Sequence, residues 1–499
     1  MQRRMKRIAA PLAVLVSVLL SHCSPSPPAR PRLVLLYVNC TLNKHFLSPY
    51  QPGLPYTPAF DRFARNAVVF ERHQTEAGQS GIAFASIFSG THADRHGAYT
   101  HPVELSDDIT LLAEKYAEAS YETFFWSGHP MAGPKVNYDQ GVQPANLHKG
   151  GLRAEDPAFL AILDGLADNP AERAFVQTGF TVTHSPYKED NFQSFRKEFP
   201  KHFGDLTDAE IRRYTTLYRR NHFGLAWNTE QTVAELGLSA TGVERLAAVI
   251  ELIYASRVQV LDRLFGAMLD AIEQRGLLDE TMIVFTSDHG EVLHRPTADF
   301  QWSHAMQLAP EVIGVPLLIS APGLPGRRYG SVTSSIDVLP TMLGLSGIEV
   351  PTTAAGTDLS RHLHEGSEMA GTQAFSHTTI IAPSVARQLN DPILGKKWAK
   401  ARKFFPDRGV QHTWVAVREG DLFYKWRNLD GKKWGPQLFD LARDPSETRN
   451  IFDSENPTHR RALKELRAYK NNLVHHFRRG DTLPLSEEER RLRKLGYIQ

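Results

Sequence analysis

Two stretches of this chain read as strands buried on both faces, and they dictate the fold class. Leu33-Val34-Leu35-Leu36-Tyr37-Val38 and Met282-Ile283-Val284-Phe285-Thr286 are runs without apolar/polar alternation. A half-exposed strand alternates, so both suit the interior of a largely parallel sheet covered by helices. Val315-Pro316-Leu317-Leu318-Ile319, turning at Ala321-Pro322-Gly323, fits the same sheet. Ahead of the second run, Ile250, Ile253, Tyr254, Val258, Leu261, Leu264, Phe265, Met268 and Ile272 recur at intervals of three and four, as on an amphipathic crossover helix. The pattern predicts an α/β fold with a mixed, mostly parallel sheet flanked by helices, and argues against an all-β one.

The strand ends are the first candidate site. Ligands of open α/β sheets gather beyond the carboxyl ends of strands. Here those ends read Asn39-Cys40 and Ser287-Asp288-His289-Gly290-Glu291. Downstream of about residue 365 the character changes. Thr413 to Arg418 and Leu422 to Trp426 are short aromatic strands around Glu419-Gly420-Asp421, a hairpin that predicts a small antiparallel sheet. A helix follows from Pro457 to about Phe477, and Ser486 with Glu489 forms a capping box for a last short one.

The 499 residues carry 57 Lys and Arg against 55 Asp and Glu, so no basic field points to nucleic acid as a partner. Arg3, Arg4, Lys6 and Arg7 precede an apolar run over residues 8–20, too short to span a bilayer but suited to a secretory signal. It ends at Leu20-Ser21-His22-Cys23, resembling a bacterial lipoprotein box in which Cys23 would carry the lipid and give membrane attachment. His22 fits that box poorly, so simple cleavage or an uncleaved anchor stays open. Each reading places the protein outside the cytoplasm, in the periplasm or cell envelope. With two cysteines in all, no disulfide framework is expected. The predicted organisation is a leader at 1–23, a Pro/Ser spacer at 24–31, a main domain at 32–365, a carboxyl-terminal α+β subdomain at 366–480 and a tail helix at 481–499.

In order, these blocks resemble sulfatases of the alkaline-phosphatase superfamily. Thr57-Pro58-Ala59-Phe60-Asp61-Arg62-Phe63-Ala64 resembles the family's "TPNLDRLA" stretch, and Ala85-Ser86-Ile87-Phe88-Ser89-Gly90 through Arg95-His96-Gly97 resembles "ASLLTGRYPHRHG". The stretch from Tyr254 to Glu291 resembles the family's long helix and "VVFTSDHGE" strand. Ser335-Ile336-Asp337-Val338-Leu339-Pro340-Thr341 and Leu438-Phe439-Asp440-Leu441 resemble later blocks. The resemblance implies an alkaline-phosphatase-like fold and a sulfatase-like, metal-dependent hydrolase of sulfate or phosphate esters, acting on an anionic small molecule or glycan.

It also implies roles residue by residue. Ser80 falls in the nucleophile slot, where the family's Cys-x-Pro-x-Arg becomes Ser80-Gly81-Ile82-Ala83-Phe84. Without the cysteine, proline and arginine, formylglycine is not expected, and Ser80 would act as an unmodified hydroxyl. Asp288 and His289 would hold a divalent cation, calcium, zinc or manganese. Asn39 and Cys40 stand where the family has Asp-Asp or Asp-Thr. Asn39 brings an oxygen without charge, and Cys40 is either a thiolate ligand favouring zinc or a small buried residue. His184, in Thr183-His184-Ser185-Pro186-Tyr187, matches the "HxPH" or "HxPY" histidine that contacts ester oxygens. His129 matches the "GKWH" histidine, with Ser127 at the lysine position, and His304 would contact substrate or a second metal.

Asn39, Phe84 and Ser127, in place of charged residues, leave a second reading open: a binding protein or pseudoenzyme with the same fold. Transfer of a phosphoryl-linked head group is a third. The segment from Lys188 to about Thr241, rich in Phe, Tyr, Arg and His, is the candidate lid.

Overall fold

The computed structural model describes residues 30–98, 104–129, 131–227, 229–298, 300–304, 307–380, 412–426 and 435–478. The expected leader, most of the spacer and the tail helix lie outside the described residues. Twelve strands carry the architecture: β1 (Leu33–Asn39), β2 (Val68–Gln74), β3 (Glu122–Ser127), β4 (Leu147–Lys149), β5 (Ala174–Phe180), β6 (Thr281–Ser287), β7 (Leu317–Ser320), β8 (Arg327–Ser334), β9 (Gln373–Ile380), β10 (His412–Glu419), β11 (Leu422–Trp426) and β12 (Gln437–Asp440). The helices are α1 (Pro58–Ala64), α2 (Ser80–Ser89), α3 (Ala93–His96), α4 (Leu112–Glu118), α5 (Pro157–Asp168), α6 (Phe192–Glu198), α7 (Asp208–Trp227), α8 (Thr229–Glu235), α9 (Ala240–Glu273), α10 (Pro310–Ile313), α11 (Val338–Leu345), α12 (Ser360–Glu365) and α13 (Pro457–Arg478).

The large sheet has eight strands in the order β4-β3-β5-β1-β6-β7-β2-β8. β1 lies between β5 and β6, parallel to both, with Asn39 opposite Phe180 and Ser287. Every residue of these three strands is buried. The missing alternation has a direct cause. Leu33, Leu35 and Tyr37 enter one apolar layer with Ile253, Val258 and Phe265, while Val34, Leu36 and Val38 enter the other with Phe84, Phe88 and Met342. Both faces of β1 are therefore core. β7 runs against β6 and β2, a direction its apolar run does not encode. The connection from β6 to β7 thus begins and ends on the carboxyl side of β6.

The crossover helix α9 extends beyond the predicted stretch at its amino end, where Ser239 caps it by accepting from Gly242 N at 3.2 Å. Its Asp262 accepts the N–H groups of Ala59 and Phe60 at 3.2 and 3.0 Å, which ties the start of α1 to it. The candidate lid is helical: it forms α6, α7 and α8 and then enters α9. Its Phe192, Phe195, Phe203, Tyr214 and Tyr218 are buried in the core layer that includes α9, so these aromatics build packing. Tyr218 also bonds Ser185 Oγ at 3.1 Å, setting α7 against the loop that carries His184.

The small sheet is antiparallel, β12-β11-β10-β9, and Gly420 turns the expected β10–β11 hairpin at φ +60°. It is joined to the large unit through the segment after β2, where His377 N donates to Glu76 O at 2.7 Å and Ser376 Oγ to Thr75 O at 2.7 Å. Among the described residues, no helix is long and apolar enough to cross a membrane.

Candidate active site

The site sits where β1, β5 and β6 end side by side. β2 leads through an extended Gln79 into α2, whose first residue is Ser80. The amino end of a helix offers N–H groups and a favourable dipole to an anion. Ser80 Oγ lies 3.1 Å from His289 Nε2 and 3.6 Å from Cys40 Sγ. His289 Nδ1 lies 3.0 Å from Gly290 O, a contact that needs its proton there. Nε2 therefore presents its lone pair to Ser80, the tautomer that suits a cation.

Asp288 Oδ1 accepts from Thr41 N at 3.1 Å and His289 N at 2.6 Å. Its Oδ2 is buried without a hydrogen-bond partner and lies 3.4 Å from His289 Nε2. Two lone-pair atoms facing each other in a buried space favour a proton or a cation between them, and the protonated Cys40 thiol stands beside Asp288. Cys40 Sγ completes the group: one donor atom from each of Cys40, Asp288 and His289 lies within 4.8 Å of the others, and no other such group of His, Cys, Asp and Glu occurs among the described residues. Asn39 spends its Nδ2 on Thr183 Oγ1 at 2.7 Å and Cys40 O at 3.0 Å, leaving its buried Oδ1 unpartnered. The donor set fits a divalent cation, and its sulfur and imidazole suit zinc better than a hard, oxygen-loving ion.

A row of imidazoles leads outward. The His304 ring stacks on His289 with centroids 4.4 Å apart, and His184 packs edge-on to His304 at 5.1 Å. His304 Nδ1 is 3.2 Å from Glu291 Oε1. The His304 side chain is 17% exposed while those of Asp288 and His289 are fully buried, so this row lies between the buried group and the surface. His129 is buried against Phe84, ring centroids 5.4 Å apart, and its Nδ1 accepts from Met131 N at 3.2 Å. Phe84 also packs on Phe88 at 5.6 Å and belongs to the apolar core.

Burial pushes the Asp288 carboxyl up, but the imidazoles of His289 and His129 and the N–H groups of Thr41 and His289 outweigh it, and the group lies below its ordinary range. Burial lowers His289 against the pull of Asp288, and lowers His304 to about 3, helped by His184. Burial, then the Asp288 charge, holds the Cys40 thiol well above its ordinary value without a cation. Burial raises Glu291 to about 8, opposed by His184 and His289.

The structure thus brings Ser80, Cys40, Asp288, His289, His304 and His184 together, with Asn39 and His129 at the margin. Sequence reasoning passed over Glu291, although it stands in the same Asp-His-Gly-Glu run. It also passed over Thr41, which holds φ +64°, a rare conformation for a β-branched residue, to aim its N–H at Asp288. The abrupt change from apolar strand to polar Asn39-Cys40-Thr41 was the available signal.

A sulfatase family model matches residues 41–348, well over half of the chain. This chain belongs to the sulfatase family. The family is one of sulfuric ester hydrolases on the alkaline-phosphatase-like fold, and the mixed eight-stranded sheet with its small antiparallel partner is that fold. An ulvan-active sulfatase of Formosa agariphila is 23% identical over 466 residues, covering 89% of this chain and 82% of the relative. Arylsulfatase K of Xenopus laevis is 30% identical over 192 residues, 38% of this chain. That match spans only about a third, 31%, of the relative's length. Among solved structures, a protein in complex with its substrate D-glucosamine-2-N,6-O-disulfate superposes with a TM-score of 0.64 at 17% identity, covering 91% of this chain and 100% of the other. The phosphonate monoester hydrolase of Agrobacterium radiobacter gives 0.60 at 18%, covering 90% and 96%. In this sulfatase-family chain the helix after β2 opens Ser80-Gly81-Ile82-Ala83-Phe84.

Proposed function

We propose that the chain is a hydrolase of sulfate or phosphate esters that uses unmodified Ser80 as its nucleophile, beside a divalent cation held by Cys40, Asp288 and His289. The carrying observation is the placement of Ser80 Oγ at the start of α2, 3.1 Å from His289 Nε2, beside a buried Asp288 oxygen with no partner. When bound, the cation supplies Lewis-acid polarisation of the ester oxygens. The chain's own residues do the rest. Ser80 attacks phosphorus or sulfur and takes the group as a serine ester, while its proton leaves with the departing alcohol. Water then releases the group and restores the hydroxyl. His304 and His184 line the open side, where the alcohol departs, and His129 backs the helix from the other side.

A plain serine favours phosphoryl over sulfuryl transfer, because the family's sulfate chemistry rests on the modified cysteine that this chain lacks. The ligand of the solved neighbour and the ulvan-active relative support an anionic glycan ester as the substrate class. Cys40 favours zinc over calcium or manganese. The leader supports export to the cell envelope, with lipid attachment at Cys23. Loss of fatty-acid labelling in a Cys23→Ala chain is the matching check.

The test is turnover of p-nitrophenyl phosphate, p-nitrophenyl sulfate and sulfated disaccharides, with zinc, calcium and manganese each supplied alone. Ser80→Ala is expected to abolish it, and full activity in that variant removes Ser80 from the role. Phe84, in place of the family's arginine, favours the second reading, a binding protein with this fold. A chain that takes up none of the three cations on titration supports that reading and ends the first.

A further inference from the structure

Shortly ahead of Ser80, Glu76 is completely buried, and four donors from three helices meet on its carboxylate. Oε1 accepts from the Tyr469 hydroxyl of α13 at 2.8 Å, from His92 Nδ1 at 3.0 Å and from Ala93 N, at the start of α3, at 3.1 Å. Oε2 accepts a short bond from Ser86 Oγ of α2, a hydroxyl that also lies 3.1 Å from His96 Nε2. The backbone of the same segment is held as firmly. Glu76 N donates to Ser335 Oγ at 3.2 Å, its carbonyl accepts from His377 N of β9 at 2.7 Å, and Ala77 bridges to His377. Ala77 and Ile82, on either side of Ser80, are buried in one apolar cluster with Val415, Val417, Leu466 and Leu473 of the carboxyl-terminal unit.

Glu76 is fully buried and both its oxygens already accept from protein donors, so it does not serve as a contact for a substrate at Ser80. What it does is fix both ends of the Ser80 turn: Ser86 on one side, and the 75–77 segment on the other. We propose that Glu76 is a positioning residue for Ser80, and that through the Tyr469–Glu76 hydrogen bond the carboxyl-terminal unit sets where the nucleophile stands. The inference rests on the Ser80 reading above. A buried node of this kind is satisfied only when all its members are present, so removing one donor frees the segment without removing the fold.

Tyr469→Phe is the decisive change, because the ring keeps its stacking on Phe375, with centroids 4.9 Å apart, and loses only the hydroxyl. Loss of the bond to this buried charge, together with the hydroxyl's 3.1 Å contact with His377 Nδ1, predicts a fall in kcat on p-nitrophenyl phosphate of about tenfold with KM unchanged. Amide hydrogen exchange over residues 77–83 should quicken by a similar factor while the β1, β5 and β6 amides hold. Glu76→Gln should keep most of the turnover, its carbonyl taking the Oε1 role and its NH2 facing Ser86 Oγ, whereas Glu76→Ala should not. Unchanged kcat together with unchanged exchange over 77–83 in Tyr469→Phe overturns the proposal, as does exchange that quickens evenly through the chain. Ser80→Ala is measured beside it: if that variant keeps its turnover, the nucleophile assignment fails, and the exchange result alone decides the role of Glu76.

Discussion

Two buried carboxylates flank the Ser80 turn, and they are built on opposite plans. Asp288 has one oxygen with two backbone donors and another with none, facing an imidazole lone pair. Glu76 has both oxygens filled, by Tyr469, His92, Ala93 and Ser86. Burial and histidine neighbours are common to both, so neither marks function by itself. The unfilled valence does. A carboxylate whose hydrogen bonds are complete holds structure together, and one left incomplete in a dry space is waiting for a ligand.

That contrast can be broken in four ways, in order of expected effect. Asp288→Ala removes the incomplete carboxylate, and turnover should fall by more than about 10³, beyond the cost of losing a single transition-state donor, with zinc uptake lost in calorimetry. Residual tight zinc binding would show that the unfilled oxygen was not waiting for a cation. Glu76→Leu removes the complete one, taking away the acceptor of the Ala93 amide and breaking the bonds from Tyr469, His92 and Ser86. Denaturant unfolding should show a loss of about 3 kcal/mol, in the range for stranding the partners of a buried charge. Cys40→Ser keeps the pocket but replaces sulfur by oxygen, and zinc affinity should drop by roughly tenfold while that for manganese changes little.

The smallest effect is a pH dependence. Glu76 is held well below its ordinary 4.5, against its burial, chiefly by His92, and so stays ionised through the neutral range. His92 is raised above 6.5, against its own burial, by Glu76 and then Asp94 and Asp337. A cation stabilised in the fold contributes fully below its unfolded value and loses that contribution as pH rises through the folded one. His92→Asn should therefore cost about 1 kcal/mol or less, most between about pH 4.5 and 6.5 and least in alkali, as read from melting temperatures across pH. A gap that widens in alkali would contradict the pairing.

The fold was largely legible because its evidence is local. Uninterrupted apolar runs marked β1 and β6, three-four periodicity marked α9, and Glu419-Gly420-Asp421 marked the small hairpin. The inner site was legible for a related reason: Asn39-Cys40 and Asp288-His289 directly follow strands that the pattern had already placed. Direction was not legible for β7, because an apolar run reads the same both ways. Nor was the Glu76 node, whose members come from β9, α3 and α13 and share no periodicity with it. The aromatics of the candidate lid were ambiguous in sequence, since the same residues suit a ligand or a core. In the structure Phe192, Phe195 and Phe203 are core.

The reversal of β7 has a consequence for how such a molecule could diversify. Because β6 and β7 are antiparallel neighbours, the chain between them leaves and returns at one end of the sheet, and it carries the part-exposed His304 over the buried Glu291. Residues could be gained or lost in that excursion without shifting the register of any strand. The serine proposed as nucleophile stands on a clamped helix and the path toward it on an editable excursion, so new specificities can be tried by rewriting the doorway while what lies behind it is inherited unchanged.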